Sequence, residues 1–490
     1  MTRAAFAASL VATLSISAAA YASPTHLDHG FSGDGVKTFH SASHSEILAD
    51  MAVLPSGKTM VLTLTLDEPA VELWRLRKDG SPDPTYGDHG VFPFLLFGNY
   101  EDVHLAVDPW TGKSYVSTFM DGEPFTTTIW RIKANGSLDQ AYGVGTGRVQ
   151  FDQRHVNALL PLSDGRLAMA GSDFAAHTAD VWTITSTGGT ADWGDTSGRA
   201  VLSTNDNDEA DDLALRSDGK IVVAGSHYSP TASKLQAYRL TSDGLLDHSF
   251  SSNGKATIDP SKPGVTTSTV WTPQVLVRPD NRTVYVGGLN QNNGSFLNSL
   301  LVAGLTPKGK PDQVFGKHVY DGLSSTWGDA ALERDGKVVV AGFVPPNPST
   351  QNAVARFGRK GKLDTSWSGD GILPLTESSD TIALGITPQG RVIVGRTLGS
   401  GPYDAELRAL RGTRTPSCGG KLATQFGTNK RDTIVGTPRR DVLVGLRGND
   451  TLKGLAGKDR LCGNAGNDTL VGGKGTDVLL GGPGRNTLKP

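Results

Sequence analysis

Near the C-terminus six aspartates recur nine residues apart, Asp432, Asp441, Asp450, Asp459, Asp468 and Asp477, and Asn486 takes the seventh place. Glycine opens each nine-residue unit at Gly427, Gly436, Gly445, Gly454, Gly463, Gly472 and Gly481, and a second glycine stands at Gly448, Gly457, Gly466 and Gly475. An apolar residue sits two places after each aspartate or its Asn replacement, from Ile434 through Leu488. Carboxylates and glycine carbonyls are hard oxygen donors. Stacked in register, they offer several oxygens to each gap between turns, and calcium takes six to eight such ligands. Zinc does not fit: the two cysteines, Cys418 and Cys462, have no His or Cys at ligand spacing beside them.

The spacing also predicts how those oxygens are held. Six glycine-rich residues of each unit make a turn, and the next three make a very short strand with one inward apolar side chain. Two units form one coil of a flattened β-roll, so that turns stack on alternate sides. The core is then a single leucine stripe, and ion binding and folding of the segment are coupled.

The pattern resembles the hemolysin-type (RTX) calcium-binding repeat, Gly-Gly-x-Gly-x-Asp-x-apolar-x, over residues 427–489. The resemblance implies that Asp432, Asp441, Asp450, Asp459, Asp468 and Asp477 are the side-chain ligands of calcium. It implies that Gly445, Gly448, Gly454, Gly457, Gly463, Gly466, Gly472 and Gly475 form the turns that present carbonyls to it. Lys430 and Arg439 replace the fourth-position glycine in the first two copies, and Asn486 loses a charge in the last. From Lys430 to Lys489 eleven Lys or Arg accompany six Asp. Cations beside a calcium site weaken it, and a basic face of this kind suits an anionic cell-wall polymer or polysaccharide.

The chain begins with a small basic region at Arg3, an apolar run Ala4–Ala20 and the pattern Ala20-Tyr21-Ala22 before Ser23, which reads as an export signal over residues 1–22. No later segment is long and apolar enough to span a bilayer as a helix. In an exported chain an even pair of cysteines predicts one disulfide, Cys418 to Cys462, pinning the incoming segment over the open end of the roll. A net charge of -2 gives no basis for nucleic-acid binding.

Between these ends one phrase, Leu/Pro-Asp-x-x-aromatic, recurs at roughly 55-residue intervals, with one longer interval. It appears at Leu27–Phe31, Pro82–Tyr86, Leu138–Tyr142, Leu246–Phe250, Pro311–Phe315 and Leu363–Trp367, with a weaker copy at Ala191–Trp193. Each period carries an apolar hairpin such as Leu213–Gly225, whose Asp218-Gly219 marks a tight turn. A third strand follows, as in Leu73–Leu76, and a fourth comes after the aromatic, as in Gly90–Phe92. Four strands and no helix per period predict a propeller blade. The first copy has only its fourth strand, Gly35–Phe39, and the last stops after its third, near Leu407–Leu410, so the two ends together make a seventh blade. These phrases resemble the delta-60 repeat of bacterial secreted and surface proteins over residues 27–411.

The propeller carries no nucleophile elbow, His-Glu-x-x-His or phosphate loop. His40 and His44, four apart, would share a metal only on a helix, and this region reads as strand and loop. The recurring third-strand arginines Arg75, Arg131, Arg239 and Arg356 precede Asp83, Asp139, Asp247 and Asp364 by a near-constant interval, which fits structural ion pairs better than a substrate ring. The sequence thus predicts an all-β chain, a seven-bladed β-propeller followed by a small parallel β-roll. Its segments are 1–22 signal, 23–411 propeller, 412–426 linker and 427–490 roll. The expected role is a secreted, extracellular or cell-surface, monomeric and non-enzymatic calcium-binding protein. A glycan-acting hydrolase or lyase with its site in the propeller channel, and a surface adhesin, are the alternatives.

Overall fold

The computed structural model describes residues 26–490 apart from 40–44, 66–69, 96–99, 121–124, 195–197, 206, 230–232, 252, 262–265, 293–297, 324–327, 345–350, 376–381 and 400–402. The export signal and the His40–His44 pair lie outside the described residues. No helix occurs among the described residues.

Glu46–Val53, Thr59–Thr65, Ala70–Leu76 and Val91–Leu95 form a four-stranded antiparallel sheet in chain order. Five further sheets repeat that order, and the seventh is made by both chain ends, with Val36–Phe39 paired to Asp404–Leu410. The chain folds as the seven-bladed propeller its repeats predict. The second strand of each blade is buried on both faces, as in Ile221–Ala224. Continuous apolar runs stand there because neighbouring blades pack face to face. Between the first two blades, for example, Met60 and Leu62 share a core with Val103, Leu105 and Val116.

The hairpins confirm the glycine reading at one instructive place. Gly219 has φ 82°, and a side chain there would meet nothing within 4 Å. Backbone handedness alone demands the glycine. The Arg216 carbonyl accepts the Gly219 N–H, and the Arg216 N–H reaches the Lys220 carbonyl.

The arginine–aspartate pairs are present in all four blades. Nε of Arg75, Arg131 and Arg239 donates to Asp83, Asp139 and Asp247 at 2.7, 2.9 and 2.7 Å, and Nη2 of Arg356 lies 3.0 Å from Asp364. Each guanidinium also lies over the blade's aromatic, Tyr86, Tyr142, Phe250 or Trp367. Hairpin lysines Lys58, Lys113, Lys220 and Lys337 approach the same carboxylates. The ring of arginines is therefore consumed inside the blades.

A second set of aspartates ties one blade to the next. Bulges at Ala49 and Asp211 immediately precede Asp50 and Asp212 in the first strands. Oδ2 of Asp50 accepts the N–H of Leu105, Asp212 that of Val275, and Asp329 that of Leu384, at 2.7–2.9 Å. Each acceptor thus lies one blade before its donor. Burial pushes Asp50 and Asp212 up to about 7 and raises Asp329 as well. A folded-state value above the unfolded one binds extra protons in the native state, so this contribution is whole below about pH 4 and is lost as pH rises through about 7. The melting temperature of Asp50→Asn should accordingly fall less between pH 5 and pH 8 than that of the unaltered protein; equal slopes by scanning calorimetry would refute the assignment.

Candidate metal centre

From Gln425 the chain winds into two parallel sheets. One holds Gln425–Phe426, Val442–Arg447, Arg460–Ala465 and Val478–Leu480, the other Thr433–Val435, Thr451–Ala456, Thr469–Lys474 and Thr487–Lys489. Leu443 pairs with Leu461 and Leu452 with Leu470, so two units make one coil. The central strands run six residues, twice the predicted length. The ladder continues past each opening glycine, with Leu446 opposite Asn464 and Arg447 opposite Ala465, which leaves positions four to six as the corner. Ile434, Leu443, Leu452, Leu461 and Leu470 form the buried stripe.

Cys418 and Cys462 are joined by a disulfide with Cα atoms 5.7 Å apart. The incoming hairpin, Ser417–Cys418 with Lys421–Leu422, does not cover the open end of the roll as expected. It lies on the outer face of the first sheet, where Cys418, Ala423 and Phe426 pack on Val442, Val444 and Cys462. The sequence places apolar residues at positions seven and nine there, so that face needed a cover. Arg334 and Arg359 of the sixth blade hold this side of the roll, donating to the carbonyls of Ala423 and Phe426.

Four of the six roll aspartates are held from one side in the same way. Oδ1 of Asp450, Asp459, Asp468 and Asp477 accepts the backbone N–H of Asp432, Asp441, Asp450 and Asp459, the residue 18 earlier, at 2.8–2.9 Å. The carboxylates thereby form two files, one along each edge of the roll.

The other oxygen divides the units into kinds. Oδ2 of Asp450, Asp459 and Asp468 is buried and has no hydrogen-bond partner. A buried, unpaired carboxylate oxygen is costly unless something cationic meets it. It faces a hollow that only glycine leaves open. A Cβ at Gly445 would stand 2.5 Å from Asp450 Oδ2 and 2.7 Å from the Gly463 carbonyl, and Gly454 and Gly463 repeat this with Asp459 and Asp468 and the carbonyls of Gly472 and Gly481. At Gly472 a Cβ would stand 2.5 Å from Oδ2 of Asp477, which is only half-buried. Gly448, Gly457, Gly466 and Gly475, at φ 119–145°, form the fourth-position corners. A Cβ at Gly466 would run into the Gly448 carbonyl, and one at Gly475 into that of Gly457.

The first two units differ. Oδ2 of Asp432 accepts both N–H and Oγ1–H of Thr428, and Asp441 does the same with Thr437, at 2.6 and 2.8 Å. Asp432 is further approached by Arg359 at 3.4 Å. The second position is left-handed at Leu446, Leu455, Asn464 and Gly473 but not at Thr428 or Thr437. A β-branched residue resists that conformation, and its hydroxyl supplies the cap instead. In the last unit Asn486 Oδ1 accepts the Asp468 N–H, while its amide donates to the Gly482 carbonyl, placing a donor where the other units place an anion. The signal for this division was legible as threonine four residues before Asp432 and Asp441.

Burial, reinforced by the neighbouring carboxylates of the same file, pushes Asp450 and Asp459 up to about 6. No group of three His, Cys, Asp or Glu side chains converges among the described residues. Any ion here must take much of its coordination from backbone carbonyls, which suits calcium. The donors are all oxygen, one carboxylate per corner with carbonyls around it, and the fit to calcium is good.

Residues 426–461, 435–470 and 454–488 match the family model described as RTX calcium-binding nonapeptide repeat. Residues 216–250 and 333–366 match the model described as domain of unknown function (DUF5122) beta-propeller. The chain therefore carries calcium-binding RTX repeats behind a DUF5122-type propeller. No curated protein matches it. Among solved structures it is similar to the calcium-binding protein regucalcin of Agrobacterium tumefaciens (12% identity, 64% of this chain and 91% of that one, TM-score 0.34). It is also similar to the Nup133 β-propeller domain of Vanderwaltozyma polyspora (10%, 76% and 100%, TM-score 0.41). A third is a family PL25 ulvan lyase bound to a sulfated disaccharide repeat (8%, 77% and 96%, TM-score 0.39). At these scores the likeness says nothing of ligand or activity.

Proposed function

We propose that this is a secreted, non-enzymatic calcium-binding scaffold whose roll completes its folding around calcium outside the cell. In this reading residues 1–22 are a cleaved export signal, 23–411 the propeller, 412–426 the linker and 427–490 the roll, in a monomeric chain. Calcium sits between stacked corners of each file, with Asp450, Asp459, Asp468 and Asp477 as carboxylate ligands and the carbonyls at the corners around Gly445–Gly448, Gly454–Gly457, Gly463–Gly466 and Gly472–Gly475 completing the shell. Asp432 and Asp441 serve as threonine-capped ends of the files. The observation that carries the reading is the trio of buried, partnerless Oδ2 atoms on Asp450, Asp459 and Asp468. When bound, the ion supplies the positive charge that lets these carboxylates stay ionised at close quarters.

A non-enzymatic propeller is supported by the commitment of the three carboxylates that tie blade to blade. Both oxygens of Asp50, Asp212 and Asp329 accept backbone N–H groups. The basic residues of the roll support contact with an anionic wall polymer or polysaccharide, strengthened once calcium has neutralised the aspartates.

The test is limited trypsin digestion of the full chain with its disulfide intact. With calcium at about 1 mM, the range of extracellular modules, the Lys- and Arg-rich tail should resist cleavage; in chelator it should be cut while the propeller survives. A tail equally protected in chelator, together with no calcium uptake by calorimetry, defeats the reading.

A further inference from the structure

The backbone marks one equivalent position in every blade: the residue whose carbonyl accepts the N–H of the Asp in the Leu/Pro-Asp phrase or of its replacement. Arg75, Arg131, Arg239 and Arg356 hold it for Asp83, Asp139, Asp247 and Asp364. In the closing blade the same bond runs from Asp28 N–H to Ala409, in the third blade from Ala191 to Thr183, and in the fifth from Asp312 to Gly304. Three blades therefore lack an arginine at this position, although in the closing blade the hairpin residue Arg391 supplies the guanidinium, with Nε on Asp28 and the Phe31 ring beneath it.

Each handles the vacancy differently. At Gly304 the space is taken by Phe315, over which Arg278 stacks. Beside Thr183 a cavity of about 210 Å³ remains, and its arginines Arg154 and Arg199 are drawn to Asp173 and Asp180. In the closing blade, where Arg391 takes over that role, a cavity of about 580 Å³ lies at the seam of the ring. It is lined by Lys78, Arg391, Arg411 and Arg414 against Asp28 and Asp79.

The charges of this seam cavity are not balanced internally. Arg391 is committed, its Nε on Asp28 at 2.7 Å and its Nη1 on the Lys78 carbonyl. Asp79 is exposed at the rim and accepts the N–H and hydroxyl of Ser81. The exposed side chains of Lys78 and Arg414 have no hydrogen-bond or ion-pair partner among the described residues, and exposed Arg411 meets Asp28 only through its charge. Four cations against two carboxylates around one concavity favour an anion, because low-dielectric walls strengthen the field inside a cleft. The volume falls within the roughly 300–1,000 Å³ of small-molecule sites and far exceeds a bare inorganic ion. Guanidinium groups recognise carboxylate, sulfate and phosphate by paired N–H donors.

We propose that this seam cavity binds a small organic oxyanion, of about the size of an acidic mono- or disaccharide, through Lys78, Arg411 and Arg414. Its ligand bridges the first described segment, the first blade, the closing blade and the linker to the roll, so binding also fastens the ring. The inference goes beyond the calcium reading and stands without it.

The probes are galacturonate, inorganic phosphate and inorganic sulfate, with neutral galactose as control, titrated by calorimetry at low salt both with calcium and in chelator. Galacturonate should bind in saturable fashion at concentrations up to about 10 mM, galactose should not, and binding should weaken as salt rises. The double variant Lys78→Gln/Arg414→Gln should lose about tenfold or more in affinity with an unchanged melting temperature, since both side chains are exposed. The same charge change elsewhere, Lys308→Gln/Lys310→Gln, should leave binding intact. If galacturonate fails to bind, if only the inorganic ions bind, or if both double variants behave alike, the proposal is overturned. Loss of binding in chelator alone would likewise refute its independence from the roll.

Discussion

Replacing Asp459 or Asp468 by asparagine is expected to weaken calcium binding about tenfold or more, because each substitution removes a charged ligand from a site with few carboxylates. Asp432→Asn should change calcium affinity far less. Its second oxygen already accepts two donors from Thr428, and Arg359 stands beside it. The contrast is read by calcium titration of three single variants, and equal losses at all three positions would mean that the threonine caps yield to the metal. Protons compete for the same oxygens. With Asp450 and Asp459 near 6, calcium at pH 7.5 meets mostly ionised carboxylates, while at pH 5 it must displace a proton from each. Affinity should fall by about tenfold per such carboxylate over that interval. In chelator the sign reverses. A folded-state value above the unfolded one stabilises the ion-free roll at low pH and is lost as pH rises through about 6, so acid should partly replace calcium in protecting the tail.

The second large effect belongs to the propeller. Arg239→Ala should destabilise the protein by roughly 3 kcal/mol, the lower part of the range for breaking a buried pair. The guanidinium meets Asp247, Ser249 and the Pro307 carbonyl of the next blade, and it covers the Phe250 ring. Its removal leaves a void and an unanswered carbonyl, although Lys220 still neutralises Asp247 at 2.6 Å. Urea unfolding gives the measurement; a midpoint shift within error would show that the lysine alone secures the blade.

Much of this architecture was legible because it repeats. The Leu/Pro-Asp phrase counts the blades, and the partial first and last copies foretell their union. The arginine–aspartate interval is constant because both residues belong to one turn of one blade. The aspartates Asp50, Asp212 and Asp329 escaped notice for the opposite reason: each acts on a neighbouring blade through a single backbone N–H, a contact between blades that no repeat phrase announces. Their trace is only the local string Asp-Met-Ala, Asp-Leu-Ala and Asp-Ala-Ala at the start of a hairpin. In the roll, the ligand file follows directly from the nine-residue spacing. The division of that file into capped and uncapped members depended on Thr428 and Thr437, whose hydroxyls matter only once the corner's handedness is known. The seam cavity was hidden because its lining comes from segments far apart in the chain, Asp28, Lys78, Arg391 and Arg414 among them.

The closing blade carries a consequence for how the chain reaches this state. Asp28 and Arg391 are 363 residues apart, and Val36–Phe39, the first described strand of the ring, pairs with its last, Asp404–Leu410. Closure therefore has the longest contact separation in the ring and should be its slowest event. Until Asp404–Leu410 arrives, the incomplete assembly presents an unpaired strand edge to its surroundings, open to annealing with a second molecule. A chain halted before residue 404 would keep most of its blades and still lack the latch, making premature termination a route to aggregates.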